Sequence, residues 1–324
     1  MICKTVEGIA LAPVAPLALK AQFMREIASC LACGGTQTEL LHSSTYTGGV
    51  DGAHKFFLAQ RETSAHGEIR RCKACNFVFT SPQFEELEYD QIYSRIGVVD
   101  PNQAVNSGAG IEATKRRYQR LAGLVQRHST LDEPFLDFGC GDGSFLKVLA
   151  SRSGRGFEIG PPGRRTGPAG CDIVSGRLQD VAGTDSLPWN SQAFITAIDV
   201  LEHLPEIGRD VDLIRRILKP GGYFYVTVPD IRSAAARLMG EKWNMLLLEH
   251  LWYFDASALG QFMKRAGFSA VAHQGLPYDA SVAHLTRRLG QTFGLEGLRL
   301  PQAISQAVVP VPAGILFGAY RREV

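Results

Sequence analysis

The most constraining feature of this 324-residue chain is a glycine-rich stretch, Asp137–Ser144, with the sequence DFGCGDGS. A short apolar run, Pro134–Leu136, precedes it, and the helical pattern Phe145–Leu149 follows it. Glycines at alternate positions let the backbone turn sharply and approach a ligand without an intervening Cβ atom. The start of the following helix offers N–H groups that have no partner within the helix. The stretch therefore predicts the strand, loop and helix of an α/β nucleotide-binding fold.

Two details of this loop narrow the class of ligand. The spacing is G-x-G-x-G, and Ser144 stands where a dinucleotide-binding fingerprint requires a third glycine. Asp137 lies two residues before the first glycine, where its carboxylate would repel a pyrophosphate but attract ammonium and sulfonium charge. S-adenosylmethionine carries both of these charges, so the loop favours it. A redox enzyme that binds a dinucleotide stays open as the alternative.

Two further carboxylates follow apolar runs at places where strands of such a fold end. Glu158 follows Gly156-Phe157, and an acid there suits a bidentate grip on ribose hydroxyls. Asp199 follows the apolar run Phe194–Ile198, and Tyr223–Pro229 is typical of the next strand. Because ligands of open α/β sheets bind at the carboxyl ends of the strands, these acids are expected to converge on one site.

Five motifs between Pro134 and Phe268 together resemble the class I S-adenosylmethionine-dependent methyltransferases; they are DFGCGDG, GFE, AIDVLEHL, ILKPGGYFYVTVP and EHLWYF. The resemblance implies a Rossmann-like, seven-stranded, mostly parallel α/β sheet with helices on both faces, and S-adenosyl-L-methionine as cofactor. Asp137 would then attract the ammonium group, Glu158 would hold the ribose hydroxyls and Asp199 would border the methyl group. The cofactor-binding residues that it implies, with the adenine neighbours last, are Asp137, Gly139, Cys140, Gly141, Gly143, Glu158, Asp199, Leu178 and Gln179.

Four of the seven cysteines form two C-x-x-C pairs. Two such pairs can direct four thiolates at one tetrahedral ion, so the pattern predicts a closed, structural Zn²⁺ site held by Cys30, Cys33, Cys72 and Cys75. Disulfides are one alternative, which a cytosolic enzyme disfavours. A redox C-x-x-C is another, which the presence of two pairs disfavours. The segment between the pairs is longer than in an ordinary zinc ribbon and carries β-rich pieces such as Lys55–Leu58, which indicates an inserted hairpin.

The ribbon agrees with the resemblance, because many bacterial methyltransferases that act on sugars, natural products or surface-polysaccharide precursors carry one at the N-terminus. Helical patterns start at Glu85 and cover Ile111–Val125, and the resemblance implies that such helices close over the cofactor. The predicted domains are 1–80, an arm and the zinc-ribbon module; 81–130, a helical lid or linker; and 131–324, the methyltransferase domain, with a substrate insertion at about 275–312.

The C-terminal part predicts the antiparallel edge hairpin of this fold. Phe268–Gln274 and Ile315–Tyr320 are the expected strands, and Val282–Phe293 between them has the spacing of a helix. Asp255 or Ser257 is expected to cap the helix that precedes the hairpin.

One segment departs from the family pattern. Residues 160–170, GPPGRRTGPAG, stand where the family has a helix beside the adenosine, but their prolines and glycines exclude a regular helix. A non-catalytic S-adenosylmethionine-binding or regulatory protein is therefore the alternative function. Arg164 and Arg165 are expected in a solvated loop, with contact to a substrate phosphate as the alternative. Residues 102–110 are expected to form a mobile loop.

Two Glu-His pairs are the candidates for acid–base chemistry. Glu202-His203 follows the fourth parallel strand, and Glu249-His250 follows the fifth strand and its loop. A histidine at this edge can accept a proton during methyl transfer, so the catalytic candidates are His250, with Glu249 to orient it, and His203. The alternative is that each imidazole orders its loop by bonding to the backbone, since methyl transfer depends mainly on alignment. Trp243 and Tyr253 are expected to line the pocket.

Charge and hydropathy restrict the partners. The net charge of +2 gives no basic surface for nucleic acid, so the expected partner is a small-molecule substrate, methylated at oxygen, nitrogen or carbon. No apolar run has the roughly 18–20 residues that span a bilayer. Met1–Leu19 is apolar but interrupted by Glu7, Pro13 and Pro16, so residues 1–22 are expected to form a loosely ordered arm rather than a signal peptide. The expected location is the cytoplasm. The sequence leaves the acceptor atom and the oligomeric state open.

Overall fold

The structure, a computed structural model, describes residues 24–57, 65–96, 108–149, 153–159, 163–166, 172–293 and 300–324. In these residues the strands are β1 Thr38–His42, β2 Ile69–Cys72, β3 Val78–Thr80, β4 Phe135–Phe138, β5 Gly154–Ile159, β6 Gly163–Thr166, β7 Asp172–Gly176, β8 Gln192–Ile198, β9 Leu218–Pro229, β10 Trp252–Tyr253, β11 Phe268–Ser281 and β12 Val308–Arg322. The helices are α1 Val50–Ala53, α2 Glu86–Ile96, α3 Gly108–Val125, α4 Ser144–Leu149, α5 Leu178–Val181, α6 Ile207–Ile217, α7 Ala234–Met239, α8 Ala256–Arg265, α9 Val282–Phe293 and α10 Gln302–Ser305.

The larger sheet has the strand order β11-β12-β9-β8-β4-β5-β7-β6. The five strands from β9 to β7 are parallel, and β12 and β11 close one side as an antiparallel hairpin. These seven strands confirm the predicted Rossmann-like sheet. An eighth strand, β6, is antiparallel to β7 at the other edge. It lies inside the segment 160–170, whose described residues 163–166 are extended, in agreement with the exclusion of a helix.

The strand order reverses beside β4, and this reversal positions the site. From β4 the chain moves outward to β5 and β7, then returns to β8 and β9 on the opposite side. All four residues of β4 are buried, as are most of β8 and β9, because helices cover both faces of a parallel sheet. A crevice therefore opens at the carboxyl ends of β4 and β8, the place where such sheets bind ligands.

The helix before the hairpin follows its sequence signals. Asp255 is the N-cap of α8, where its side chain accepts a hydrogen bond from the Ala258 N–H group at 2.8 Å. Leu259, Phe262 and Met263 form the buried stripe of α8. Of the two capping residues that the sequence allows, Asp255 is the one used.

The edge hairpin extends beyond the strands that the sequence predicts. β11 continues past Gln274 to Ser281 and β12 starts at Val308, so the segment joining them is 282–307 rather than about 275–312. The pairing continues across a bulge between Leu276 and Tyr278. α9 covers the helix predicted at Val282–Phe293. Residues 294–299 lie outside the described part of the chain.

The N-terminal module is a second, four-stranded sheet with the order β1-β2-β3-β10. Its fourth strand, β10, belongs to the EHLWYF motif and pairs Trp252 with Phe79. The prediction of a β-rich hairpin piece at Lys55–Leu58 is wrong for residues 55–57, the ones that the structure describes, because His54–Phe56 forms a 3₁₀ turn. The buried Phe57 ring that follows lies 5.6 Å from the ring of Tyr93. The ribbon sheet is thus built partly from the methyltransferase region.

α2 and α3 are the predicted lid helices. Two ion pairs hold α2 against the helices beside the sheet. Glu86 lies 2.7 Å from Arg209 in α6, and Asp90 is bonded to Arg177, the residue before α5. Of the predicted loop 102–110, residues 102–107 lie outside the described residues, as does the predicted arm 1–22, while 108–110 begin α3. No helix in the described part of the chain has both the length and the apolar character needed to cross a bilayer.

Candidate functional site at the carboxyl edge of the sheet

The glycine loop lies at the carboxyl end of β4, and its glycines adopt a left-handed backbone. The φ angle is +74° at Gly139, +55° at Gly141 and +81° at Gly143, a region that L side chains rarely occupy. The N–H groups of Gly139 and Cys140 both donate to the carbonyl of Phe157, at 2.8 and 3.0 Å. These bonds tie the predicted cofactor loop to the end of β5.

Asp137 lies in β4 at the base of this loop and is only 3% exposed. Its Oδ1 atom accepts a hydrogen bond from Thr196 Oγ1 at 2.7 Å. The pKa of Asp137 is raised to about 7, mainly because the carboxylate is buried. The hydrogen bond from Thr196 opposes this rise in pKa, and the negative charge of Glu158 adds to it. A carboxylate so poorly solvated is stabilised by a cationic partner, which fits the predicted contact with an ammonium group.

Glu158 lies near the end of β5, and the predicted adenine neighbours lie in α5, the helix that follows β7. The Glu158 carboxylate accepts a hydrogen bond from the Gly141 N–H group at 2.6 Å, so it lies directly beside the glycine loop. Leu178 is buried and Gln179 is exposed at the start of α5, which follows the carboxyl end of β7. The structure thus joins Glu158 to the loop, while the ribose and adenine roles stay predictions.

Asp199 follows β8 and is held by its neighbour on β9 and by a residue that the sequence did not reveal. Thr227 Oγ1 donates to Asp199 Oδ1 at 2.7 Å. Arg117, on α3, donates to both carboxylate oxygens at 2.8 and 2.6 Å. The run Lys115–Arg117 gives no signal that separates this arginine from solvent-facing helix positions. The ion pair fastens α3 across the predicted methyl site.

Tyr118 shows that α3 also covers the glycine loop. Its ring lies 5.3 Å from that of Phe145, the second residue of α4. The pKa of Tyr118 is raised to about 12, mainly because the phenol is buried. The charge of Arg117 opposes this rise in pKa, and the charges of Asp199 and Asp137 add to it. The phenol therefore lies near both acids that the sequence assigns to the cofactor.

Tyr93, on α2, likewise shows that its helix lies close to the acids of the site. Burial raises the pKa of Tyr93 well above its ordinary value, and the charges of Glu249, Glu158 and Glu202 contribute. Glu158 lies near the end of β5, whereas Glu202 and Glu249 come after β8 and β9, so the tyrosine lies near the carboxyl edge of the sheet. α2 and α3 therefore cover the site from two sides, as the resemblance implies.

The two Glu-His pairs meet at this edge. The imidazole rings of His203 and His250 are 4.7 Å apart between centroids and nearly perpendicular. His203 Nδ1 lies 3.0 Å from the carbonyl of Glu249, and His250 Nδ1 lies 2.8 Å from the carbonyl of Met245. Both rings are thus oriented by backbone groups, and the Met245 carbonyl holds the position predicted for the Glu249 side chain. A role in proton transfer stays a prediction.

Glu202 lies beside these rings in the 3₁₀ turn Leu201–His203 and is 1% exposed. Burial, and then repulsion by Asp199, hold the pKa of Glu202 well above its ordinary value. Its Oε2 atom has no hydrogen-bond partner among the residues that the structure describes. Ligand atoms of Glu202, His203 and His250 all lie within 4.8 Å of one another.

The aromatic residues near these pairs belong to the core. Trp243 and Tyr253 are 2% and 1% exposed and pack in one small apolar cluster with Leu246. The Tyr253 hydroxyl donates to the carbonyl of Leu247 at 3.4 Å. They support the loop that carries His250, and the expectation that they line the pocket stays a prediction.

The four paired cysteines converge, with all four Sγ atoms within 4.8 Å of one another. Gly34 and Asn76, directly after each pair, have φ angles of +77° and +63°, which turns the chain back sharply. Burial raises the pKa of Cys75 to about 11. Burial alone would also raise the pKa of Cys72, but N–H groups of its own turn lower it. The cluster can hold a tetrahedral metal ion, which would stabilise the thiolates.

Comparisons with known proteins match this chain to methyltransferases. A family model for a methyltransferase domain matches residues 113–273. The ubiquinone biosynthesis O-methyltransferase of Methylococcus capsulatus is 22% identical over 197 residues, 56% of this chain and 82% of the relative. The enzyme of the same name from Saccharophagus degradans is 20% identical over 177 residues, 50% of this chain and 74% of the relative. A solved S-adenosylmethionine-dependent methyltransferase from Thermotoga maritima is 18% identical with a TM-score of 0.42, and covers 64% of this chain and 89% of its own.

Proposed function

We propose that this chain, which belongs to the class I S-adenosylmethionine-dependent methyltransferases, methylates an oxygen atom of a small molecule such as a sugar, a natural product or a surface-polysaccharide precursor. The observation that carries the proposal is the acidic site beneath α2 and α3. Asp137, Glu158, Asp199 and Glu202 meet there, and Arg117 is paired with Asp199. Such a site attracts a cationic cofactor and disfavours an anionic acceptor.

In this proposal different residues of the carboxyl edge bind different parts of the cofactor. S-adenosylmethionine, when bound, supplies a methyl group on a positively charged sulfur. Asp137 attracts the ammonium group, the glycine loop packs against the methionine part, and Glu158 accepts hydrogen bonds from the ribose hydroxyls. Leu178 and Gln179 flank the adenine, and Asp199 borders the methyl group.

Two features favour a small acceptor with a hydroxyl group. Tyr93 on α2 and Tyr118 on α3 lie close to the acids, so the two helices cover the site and favour a small acceptor. The relatives named for O-methylation in ubiquinone biosynthesis favour oxygen over nitrogen or carbon as the methylated atom. His250 or His203 would accept the hydroxyl proton if a general base is used.

The cysteine cluster is proposed to bind one structural Zn²⁺ ion. Four thiolates complete a tetrahedral site with no position left for substrate, so the ion would contribute folding energy rather than chemistry. Reduced thiolates and a nucleotide cofactor both suit the cytoplasm. The metal would stabilise β2 and β3, and through β10 the loop that carries His250.

A transfer assay tests this proposal. Purified protein is incubated with S-adenosylmethionine labelled in its methyl group and with a cell extract divided by size into metabolites, RNA and protein. Label that enters a metabolite as an alkali-stable ether supports the proposal, whereas label in RNA or protein contradicts the small acceptor. Cofactor binding without transfer to any fraction favours the alternative, a non-catalytic binding protein. Glu158→Ala is the control that should lower labelling at least tenfold when S-adenosylmethionine is below saturation.

A further inference from the structure

Three side chains at the carboxyl edge form a set of donors that the proposed function does not require. They are Glu202, His203 and His250, whose ligand atoms lie within 4.8 Å of one another. In the described ranges, the four cysteines are the other group of three or more metal-ligating side chains that come so close. Glu202 and His250 are buried and His203 is half-buried, so the three donors are shielded from water.

The backbone sets the orientation of both imidazoles. Because a carbonyl oxygen can only accept a hydrogen bond, the contacts of His203 with the Glu249 carbonyl and of His250 with the Met245 carbonyl place a hydrogen on each Nδ1 atom. In a neutral ring the lone pair is then on Nε2. Metal-binding histidines are held in this way, with the second ring nitrogen bonded to a carbonyl or carboxylate.

Glu202 supplies an independent observation. Its side chain is 1% exposed, and its Oε2 atom has no hydrogen-bond partner within the described part of the chain. Such burial destabilises a carboxylate unless a cation or a donor compensates for the lost water. The neighbouring cation, Arg117, already bonds to both carboxylate oxygens of Asp199. A cation between Glu202 and the two rings would provide the compensation.

We propose that Glu202, His203 and His250 bind one divalent first-row transition-metal cation, and that this cation binds the oxygen of the acceptor. Bonds of about 2.0–2.2 Å place neighbouring ligand atoms roughly 3–3.5 Å apart, so a bound cation would draw the three groups closer than the 4.8 Å within which they now lie. One carboxylate and two imidazoles suit Zn²⁺, Fe²⁺ or Mn²⁺ and leave coordination positions open.

The open positions give the cation a role in methyl transfer, and this role rests on the proposed function whereas metal binding does not. A hydroxyl bound to a divalent cation loses its proton to water near neutral pH. Its oxygen then forms a bond to the methyl carbon, while the carbon–sulfur bond breaks and leaves its electron pair on sulfur. His250 acts here as a ligand and not as the general base.

Mn²⁺ is the probe that separates this site from the cysteine cluster, because thiolates favour Zn²⁺ whereas carboxylates accept Mn²⁺. The full chain, without a histidine tag and with zinc limited to the one equivalent that the cysteine cluster holds, is titrated with Mn²⁺ while electron paramagnetic resonance reports the free ion. We expect one Mn²⁺ per chain, and at least tenfold weaker binding in Glu202→Gln and His250→Gln. The matched control is His66→Gln: His66 is also buried, with Nδ1 2.7 Å from the carbonyl of Gly67, and should bind Mn²⁺ as the wild type does.

Binding of S-adenosylhomocysteine checks that each variant is folded, since none of the substituted residues is assigned to the cofactor. Absence of a Mn²⁺ site, or equal Mn²⁺ affinity in wild type and both variants, would overturn the metal site. A full rate of methyl transfer in buffer freed of divalent cations, with the zinc retained, would overturn the role in binding the acceptor. Mn²⁺ binding that depends on Glu202 without any transfer to metabolites supports the site and counts against the proposed function instead.

Discussion

Replacement of Asp137 by asparagine should make the cofactor-free protein more stable while weakening cofactor binding. The carboxylate is 3% exposed, and burial raises its pKa from an ordinary value of 3.8 to about 7. At 1.36 kcal/mol for each pH unit, ionised Asp137 opposes folding by up to about 4 kcal/mol at pH 8. Asparagine keeps an oxygen that can accept the hydrogen bond from Thr196 but carries no charge.

The sign of the pH dependence follows from the raised pKa. Below pH 3.8 the side chain is protonated in both the folded and the unfolded protein. Between pH 3.8 and about 7 only the unfolded chain has released its proton, so the contribution of Asp137 to stability falls as pH rises. The advantage of Asp137→Asn should therefore grow by about 3 kcal/mol between pH 5 and pH 8.

Urea unfolding of the dialysed protein at these two pH values measures the change in stability, and calorimetry measures cofactor affinity. S-adenosylmethionine should bind Asp137→Asn roughly 10- to 100-fold more weakly, because a charged hydrogen bond worth about 1.5–3 kcal/mol is lost. Asp210→Asn is the matched control, since burial also raises the pKa of Asp210, to about 6, but its carboxylate pairs with Arg209 of its own helix α6 and not with the glycine loop. Equal stability gains at both pH values, or unchanged affinity, would refute the assignment of Asp137.

Three further predictions concern the metal cluster and its link to the histidines. Cys72→Ser should lose the single zinc ion, measured by elemental analysis, and melt the ribbon sheet while the eight-stranded sheet stays folded. His250→Ala should keep cofactor affinity but lower turnover by ~10²–10⁴-fold once an acceptor is known; an unchanged turnover would make the residue structural. Thr80→Val removes the hydrogen bond to the His250 carbonyl, 3.0 Å long, and should cost about 1 kcal/mol in urea unfolding and lower turnover. A loss of stability with unchanged turnover in Thr80→Val would contradict coupling of the ribbon to the site.

Local signals explain which parts of the site the sequence predicts well. The glycine loop is readable because its left-handed turn excludes side chains, and the cysteine cluster because two C-x-x-C pairs have few other uses. Strand ends carry Glu158 and Asp199, so their place at the carboxyl edge follows from the fold. In each case the chemistry depends on neighbours in the chain.

The contacts that the sequence could not predict depend on packing between distant segments. Arg117 resembles the solvent-facing positions of its helix until α3 packs against β11 and meets Asp199, the residue after β8. Phe57 favours a strand by local propensity, but its burial against the ring of Tyr93 in α2 fixes a helical turn before it. Trp252 joins the ribbon sheet by pairing with Phe79, and Thr80 donates to the His250 carbonyl beside it, although these segments lie far apart in the chain.

Calorimetry with Glu158→Ala tests most directly the claim that this edge of the sheet binds S-adenosylmethionine. Wild-type protein is titrated with S-adenosylhomocysteine and, separately, with NAD, and the variant is titrated with S-adenosylhomocysteine. The account predicts one S-adenosylhomocysteine bound per chain and weaker binding of NAD. It also predicts at least tenfold lower affinity in Glu158→Ala, because the variant lacks the carboxylate that accepts two hydrogen bonds from the ribose hydroxyls. Tighter binding of NAD would contradict the cofactor, and equal affinity in Glu158→Ala would contradict the site.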